Sequence, residues 1–192
     1  MHIRFTFKQI LPSLAIYLSL AAGTIFIDYV LHWFNIVWVG RYLGIFGTIS
    51  IISSFFYSLK KRKMITWGQS KMMLQSHEIL GWAGALMVMV HGGIHFNALI
   101  PWLAMFSMLI VVASGLTGKF LLKGAKEQLS ELEQRLRSLG TPDTDIEREL
   151  LTHSLVVDTM KQWRKVHMPL SMIFFGLASL HIIITLLFWR WQ

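Results

Sequence analysis

The chain of 192 residues contains no cysteine. That absence excludes disulfides, thiolate-held iron–sulfur clusters, thioether-linked haem and zinc–thiolate centres. Charge is also scarce: Asp, Glu, Lys and Arg make up 15% of the chain, where a soluble domain carries about a quarter. The period-two alternation of half-buried or barrel strands is missing, which argues against a β-barrel. What fills the sequence instead is apolar, 54% of it, and it is blocked into long runs: Ile10 to Val30, Ile45 to Phe56, Ile79 to Val90, Leu99 to Ser114 and Met168 to Trp189. A bilayer core of ~30 Å takes about 20 helical residues to cross. The expectation is therefore an all-α membrane protein, one domain over 1–192, with five transmembrane helices at about 10–33, 38–59, 74–96, 102–122 and 166–190. The first run follows Arg4 and Lys8 but is longer than a signal-peptide core, and it is read as a retained helix.

The net charge of +8 would suit a nucleic-acid partner in a soluble protein. Here its distribution points to topology, and no nucleic acid is expected. Lys60, Lys61, Arg62, Lys63 and Lys71 follow the second run, Arg4 and Lys8 precede the first, and Lys119, Lys123, Lys126, Arg135, Arg137 and Arg148 follow the fourth. The connection between the first two runs has only Arg41. The positive-inside rule then puts the N-terminus in the cytoplasm and the C-terminus on the opposite face of what is expected to be a bacterial inner membrane, with membrane lipid as the first partner.

Between the fourth and fifth spans lies a polar insert, about 124–160. Leu129, Leu132, Leu136 and Leu139 share one helical face. Gly140 and Pro142 stop that helix. Thr144 and Glu147 form a capping box for a second helix carrying Ile146, Leu150 and Leu151, which can run on into the last span. This amphipathic hairpin lies on the membrane, covers the protein's own inner face or binds a partner.

Histidines carry the chemistry. His77 and His91 stand 14 positions apart in the third span, and His167 and His181 stand 14 apart in the fifth. Ionisable side chains within lipid are costly and mark function. Fourteen residues rise about 21 Å and return within about 40° of the starting direction, so each pair shares a helix face. Separated by one span, the two helices run parallel. His77 and His167 then share the cytoplasmic level, and His91 and His181 the other. Each level can hold a flat macrocycle from both sides through neutral imidazole, giving two b-type haems with no open iron position, a ligation suited to electron transfer. His95, four residues after His91, is an alternative ligand at a less well matched height, or a contact to a haem propionate or quinone. Gly81, Gly84, Gly92, Gly93 and Gly176 give room either for a porphyrin or for helix packing. Pro169, just after His167, is positioned to kink the last span.

His-x13-His on each of two helices resembles the di-haem cytochrome b superfamily, which includes the quinol-linked cytochrome b subunits and the ferric-reductase-like transmembrane proteins. The resemblance covers about residues 70–190. The run Ser114-Gly115-Leu116-Thr117-Gly118-Lys119-Phe120 and His167-Met168-Pro169-Leu170 also look like small bacterial members of this group. It implies haem axial ligands at His77, His167, His91 and His181, with electron transfer between a quinone or quinol pool and a redox partner protein. The sequence departs from the flavin-linked members in lacking a glycine-rich phosphate loop, so electrons are expected from a partner protein or quinol. A subunit of a larger respiratory or photosynthetic complex fits this better than a stand-alone enzyme.

Two further sets of residues suit such a protein. Lys161, Arg164 and Lys165, beside His167, can pair with haem propionates or simply snorkel at the helix end. Asp28 and His32, at i and i+4 near the far end of the first span, can form with His95 a quinone pocket that exchanges protons, or be solvated at the interface with Arg41 nearby. Two rival functions remain: a haem-free anchor or assembly subunit, and a diiron membrane oxygenase built on the box His91-Gly92-Gly93-Ile94-His95, which leaves the equal histidine spacings unexplained.

Overall fold

The computed structural model describes residues 7–94 and 98–188, with side chains described except at 7–10, 94, 121–122, 125–126 and 152–164. It contains six α-helices and, among the described residues, no strand: α1 (Phe7–Trp33), α2 (Val39–Ser54), α3 (Phe56–Lys61), α4 (Ser70–Ile94), α5 (Leu99–Ser138) and α6 (Asp143–Phe188).

Three helix ends use the same device. After α1, Asn35 adopts a positive φ of 56°, while its N–H donates to His32 O and that of Ile36 donates to Leu31 O. After α3, Lys63 has φ 60°, with Lys63 N–H donating to Lys60 O and Met64 N–H to Leu59 O. After α5, Gly140 has φ 71°, with Gly140 N–H donating to Arg137 O and Thr141 N–H to Leu136 O. Each pair of bonds satisfies carbonyls that the helix leaves orphaned. Glycine takes the left-handed geometry freely and asparagine tolerates it, whereas lysine adopts it at some cost.

Among the described residues, four segments are long and apolar enough to cross a membrane: Leu11–Trp33, Val39–Lys61, Leu99–Phe120 and Lys165–Phe188. The chain thus has the character of a multi-pass membrane protein. Its surface agrees. Phe26, Phe46, Ile79, Met172 and Leu187 are among many large apolar side chains facing outward, an arrangement that water would penalise and lipid favours. Trp33, Trp38 and Tyr42 are exposed around the α1–α2 turn, where a girdle of amphipathic rings suits a membrane–water boundary. The second segment is interrupted at Phe55, between α2 and α3. The expected third span corresponds to α4, which has 25 residues. It is long enough but is not one of the four apolar segments, because His77, Glu78 and His91 lie within it.

Two features of the polar insert differ from the sequence reading. There is no separate helical hairpin: α5 runs unbroken for 40 residues and α6 for 46, so the insert is the continuation of two spans past the apolar zone. The second helix also starts earlier than the capping box implies. Pro142 O accepts from Ile146 N–H, which makes Thr144 a first-turn residue. Asp143 and Asp145 lie in that turn instead, where negative charge complements the helix dipole. Ile146 is buried at the base of the turn.

The helices pack as two antiparallel pairs, α2 with α4 and α5 with α6, and α1 bridges α4 to α5. A core of Leu20, Ala85, Met108 and Phe174 joins α1, α4, α5 and α6 halfway along the bundle. α4 and α6, the two histidine helices, run parallel but do not pack closely on each other among the described residues.

Candidate functional site

The four evenly spaced histidines occupy two levels, one on each side of that core. At one level, His77 Nδ1 lies 3.0 Å from Ser54 O, the last residue of α2. The His77 ring also rests against Tyr57 of α3, with centroids 5.6 Å apart and planes 32° from parallel. His167, across on α6, has its Nδ1 2.5 Å from the hydroxyl of Ser114 on α5. His77 and Lys61 both lie within electrostatic reach of His167. The other level follows from the parallel helices and equal spacings. There His91 Nδ1 lies 3.0 Å from Gly40 O in the first turn of α2, and His181 Nδ1 lies 3.5 Å from Thr185 Oγ1 on its own helix.

In each of the four rings Nδ1 lies within 3.5 Å of an oxygen. A ring whose Nδ1–H donates to an oxygen presents its lone pair at Nε2, and such a partner fixes both tautomer and orientation in metal-bound histidines. The two rings of α4 are braced by backbone carbonyls, His167 by a hydroxyl on the next helix, and His181 by a contact at the far limit of hydrogen-bond length.

The glycines divide by position. Gly84 faces α2, where an added Cβ would lie 2.7 Å from Ile51 Cγ1 and 2.9 Å from Gly47 O, so it serves helix packing. Gly81, one turn after His77, faces open space. Gly176 is nine positions from His167, half a turn out of phase with it, and so lies on the opposite face of α6. It is exposed with nothing within 4 Å of an added Cβ, and a role for it between the two α6 histidines is not supported. The position in phase is Phe174, buried in the mid-bundle core.

Charged groups collect at the His77 level. Glu78 accepts from Lys119 Nζ at 2.6 Å, tying α4 to α5. Lys60 Nζ donates to Thr66 O. Lys165 is exposed, and the side chains of Lys161 and Arg164 lie outside the described residues. In the sequence, Lys61 and Lys119 read as topology signals, and Glu78 is not among the expected site residues. The signal that was available is that Glu78 interrupts an apolar run right beside a histidine.

At the His91 level, Asp28 of α1 comes up against Gly93 of α4, whose added Cβ would lie 3.8 Å from Asp28 Oδ1. Among the described residues that buried oxygen has no hydrogen-bond partner. His32 does not supply one: its Nδ1 lies 2.8 Å from the backbone oxygen of Asp28 and 3.6 Å from the carboxylate. His95 lies outside the described residues, as does any contact it makes. Among the described residues, no group of three or more His, Asp or Glu stands together in a metal-binding arrangement. No protein-family model, curated protein or solved structure matches this chain.

Proposed function

We propose that the chain holds two b-type haems between α4 and α6, one on His77 and His167 and one on His91 and His181, and conducts electrons across the membrane between them. What supports this reading is that His77 lies within electrostatic reach of His167 on helices that do not pack closely among the described residues, and that Nδ1 of each of the four rings lies within 3.5 Å of an oxygen. Helices in direct contact lie about 8–10 Å apart, and a macrocycle gripped by an imidazole from each side needs more than that. Bound there, haem would supply one-electron redox chemistry.

The protein's residues do the rest. α2 and Ser114 orient the imidazoles, while Leu20, Ala85, Met108 and Phe174 close the space between the levels with apolar side chains. α4 counts as a fifth span in this reading. The polarity of His77, Glu78 and His91 is tolerated because these residues face neighbouring helices and their partners. The basic end, with Lys60 to Lys63, faces the cytoplasm by the positive-inside rule. Asp28, whose buried oxygen beside Gly93 has no hydrogen-bond partner among the described residues, is the proposed place where quinone or quinol exchanges protons at the opposite level. α5 continues past Phe120 by 18 residues to Ser138, about 27 Å, and together with α6 offers a redox partner or complex subunit a surface outside the apolar zone.

The test is electron transfer across a sealed bilayer. With a reductant trapped inside vesicles and a membrane-impermeant acceptor outside, the protein should speed reduction of the acceptor, and His77→Ala should abolish the gain. No acceleration by the wild-type protein would refute the proposal.

A further inference from the structure

The two α4 histidines share one neighbour. Ser54 and Gly40, whose carbonyls meet His77 and His91, are themselves 14 positions apart on α2. α2 packs antiparallel along α4, so one helix presents two acceptors with the same rise as the two rings they meet. A helical carbonyl has a second lone pair and can accept this extra donor. We propose that α2 is a positioning helix for both α4 histidines, its carbonyls selecting the Nδ1–H tautomer and directing each Nε2 toward its ligand. This role rests on the haem reading above.

Close approach of the two helices makes the contact possible, and glycines permit it. A Cβ on Gly44 would lie 2.7 Å from Cγ, 2.8 Å from Nδ1 and 2.9 Å from Cδ2 of the His91 ring. No side chain fits there unless the ring moves. Gly40 itself is buried. Midway, a Cβ on Gly47 would lie 2.9 Å from Val88 Cγ2 and 3.0 Å from both Gly84 O and Met87 Cβ. Gly44 and Gly47 are thus comparably crowded on the same helix, but only Gly44 is crowded by a histidine. That difference separates positioning from packing.

The experiment compares Gly44→Ala with Gly47→Ala in the purified full-length chain, by haem content per chain and by low-spin ferric EPR. If α2 positions the rings, Gly44→Ala shifts or removes the signal of one haem, lowering content from about two per chain toward about one. Gly47→Ala, even if it lowers thermal stability, keeps both signals in place. Equal effects of the two substitutions on the signals, or no effect of Gly44→Ala, would overturn the proposal. Wild-type protein that binds no haem would sink the proposed function instead. The role of α2 would then be read from 15N NMR of the histidine rings: Nδ1–H tautomers at His77 and His91 support it, and Nε2–H tautomers reject it.

Discussion

The two histidine levels differ in how firmly they are held. At the His77 level, both rings have short partners on a neighbouring helix, Ser54 O at 3.0 Å and Ser114 Oγ at 2.5 Å, and an ion pair ties α4 to α5 alongside. At the His91 level, one ring is wedged between Gly40 O and Gly44. Among the described residues, its counterpart His181 has a 3.5 Å contact within its own helix, and a buried oxygen of Asp28 has no hydrogen-bond partner. Under the proposed function, this contrast corresponds to a more firmly braced level that conducts and a second level where a substrate would complete the hydrogen bonding.

This comparison can be broken or sharpened by substitution. The largest effect is expected from His77→Ala or His167→Ala, each of which should remove one haem while leaving the other level spectroscopically intact, measured as haem per chain. Loss of both or neither would deny that the levels are separate sites. Next is Asp28→Asn, which should keep haem content unchanged and slow quinol-driven reduction about a hundredfold or more, the usual range for a proton-transfer group. An unchanged rate would remove Asp28 from the quinone reading. Third is Ser114→Ala. Losing an acceptor for His167 Nδ1–H weakens the imidazole as a donor and should raise the midpoint potential of the His77–His167 haem by about 40 mV, the equivalent of a hydrogen bond of about 1 kcal/mol in a one-electron couple. Thr185→Ala, removing the long contact to His181, should shift the other haem by much less. A larger shift from Thr185→Ala would reverse the ranking of the two levels. The smallest effect belongs to Lys119→Met. The pair with Glu78 is partly exposed, so its loss should cost no more than about 1 kcal/mol in thermal or denaturant unfolding.

Much of this arrangement was legible from residue spacing, because helices have a fixed rise and turn. The 77–91 and 167–181 intervals put each pair on one face, and Gly140 stood where a helix would end. Chemistry contributed by the backbone was not legible. The carbonyls of Gly40 and Ser54 have no side-chain signature, and only the packing of α2 on α4 shows that they meet the rings. Nothing in the sequence distinguishes Gly44 from other small residues of a membrane helix; its distinction is the His91 ring packed against it. Ser114 stands in a family-like run, but nothing in the sequence signals that its hydroxyl reaches an α6 histidine 53 positions away. Gly176 misled because lying between two histidines in sequence is different from lying between them on a helix face. Thr144 misled because a capping box is a local pattern, while Pro142 and two acidic residues set the start of α6. His95 falls outside the described residues, so the choice between His91 and His95 rests on the matched spacing and on the partner found for His91.

The most direct test of the central claim is a reduced-minus-oxidised optical spectrum of the purified full-length protein with haem quantified against chain concentration. The account predicts b-type bands at about two haems per chain, both low-spin. Protein that is folded and helical but carries no haem would contradict it.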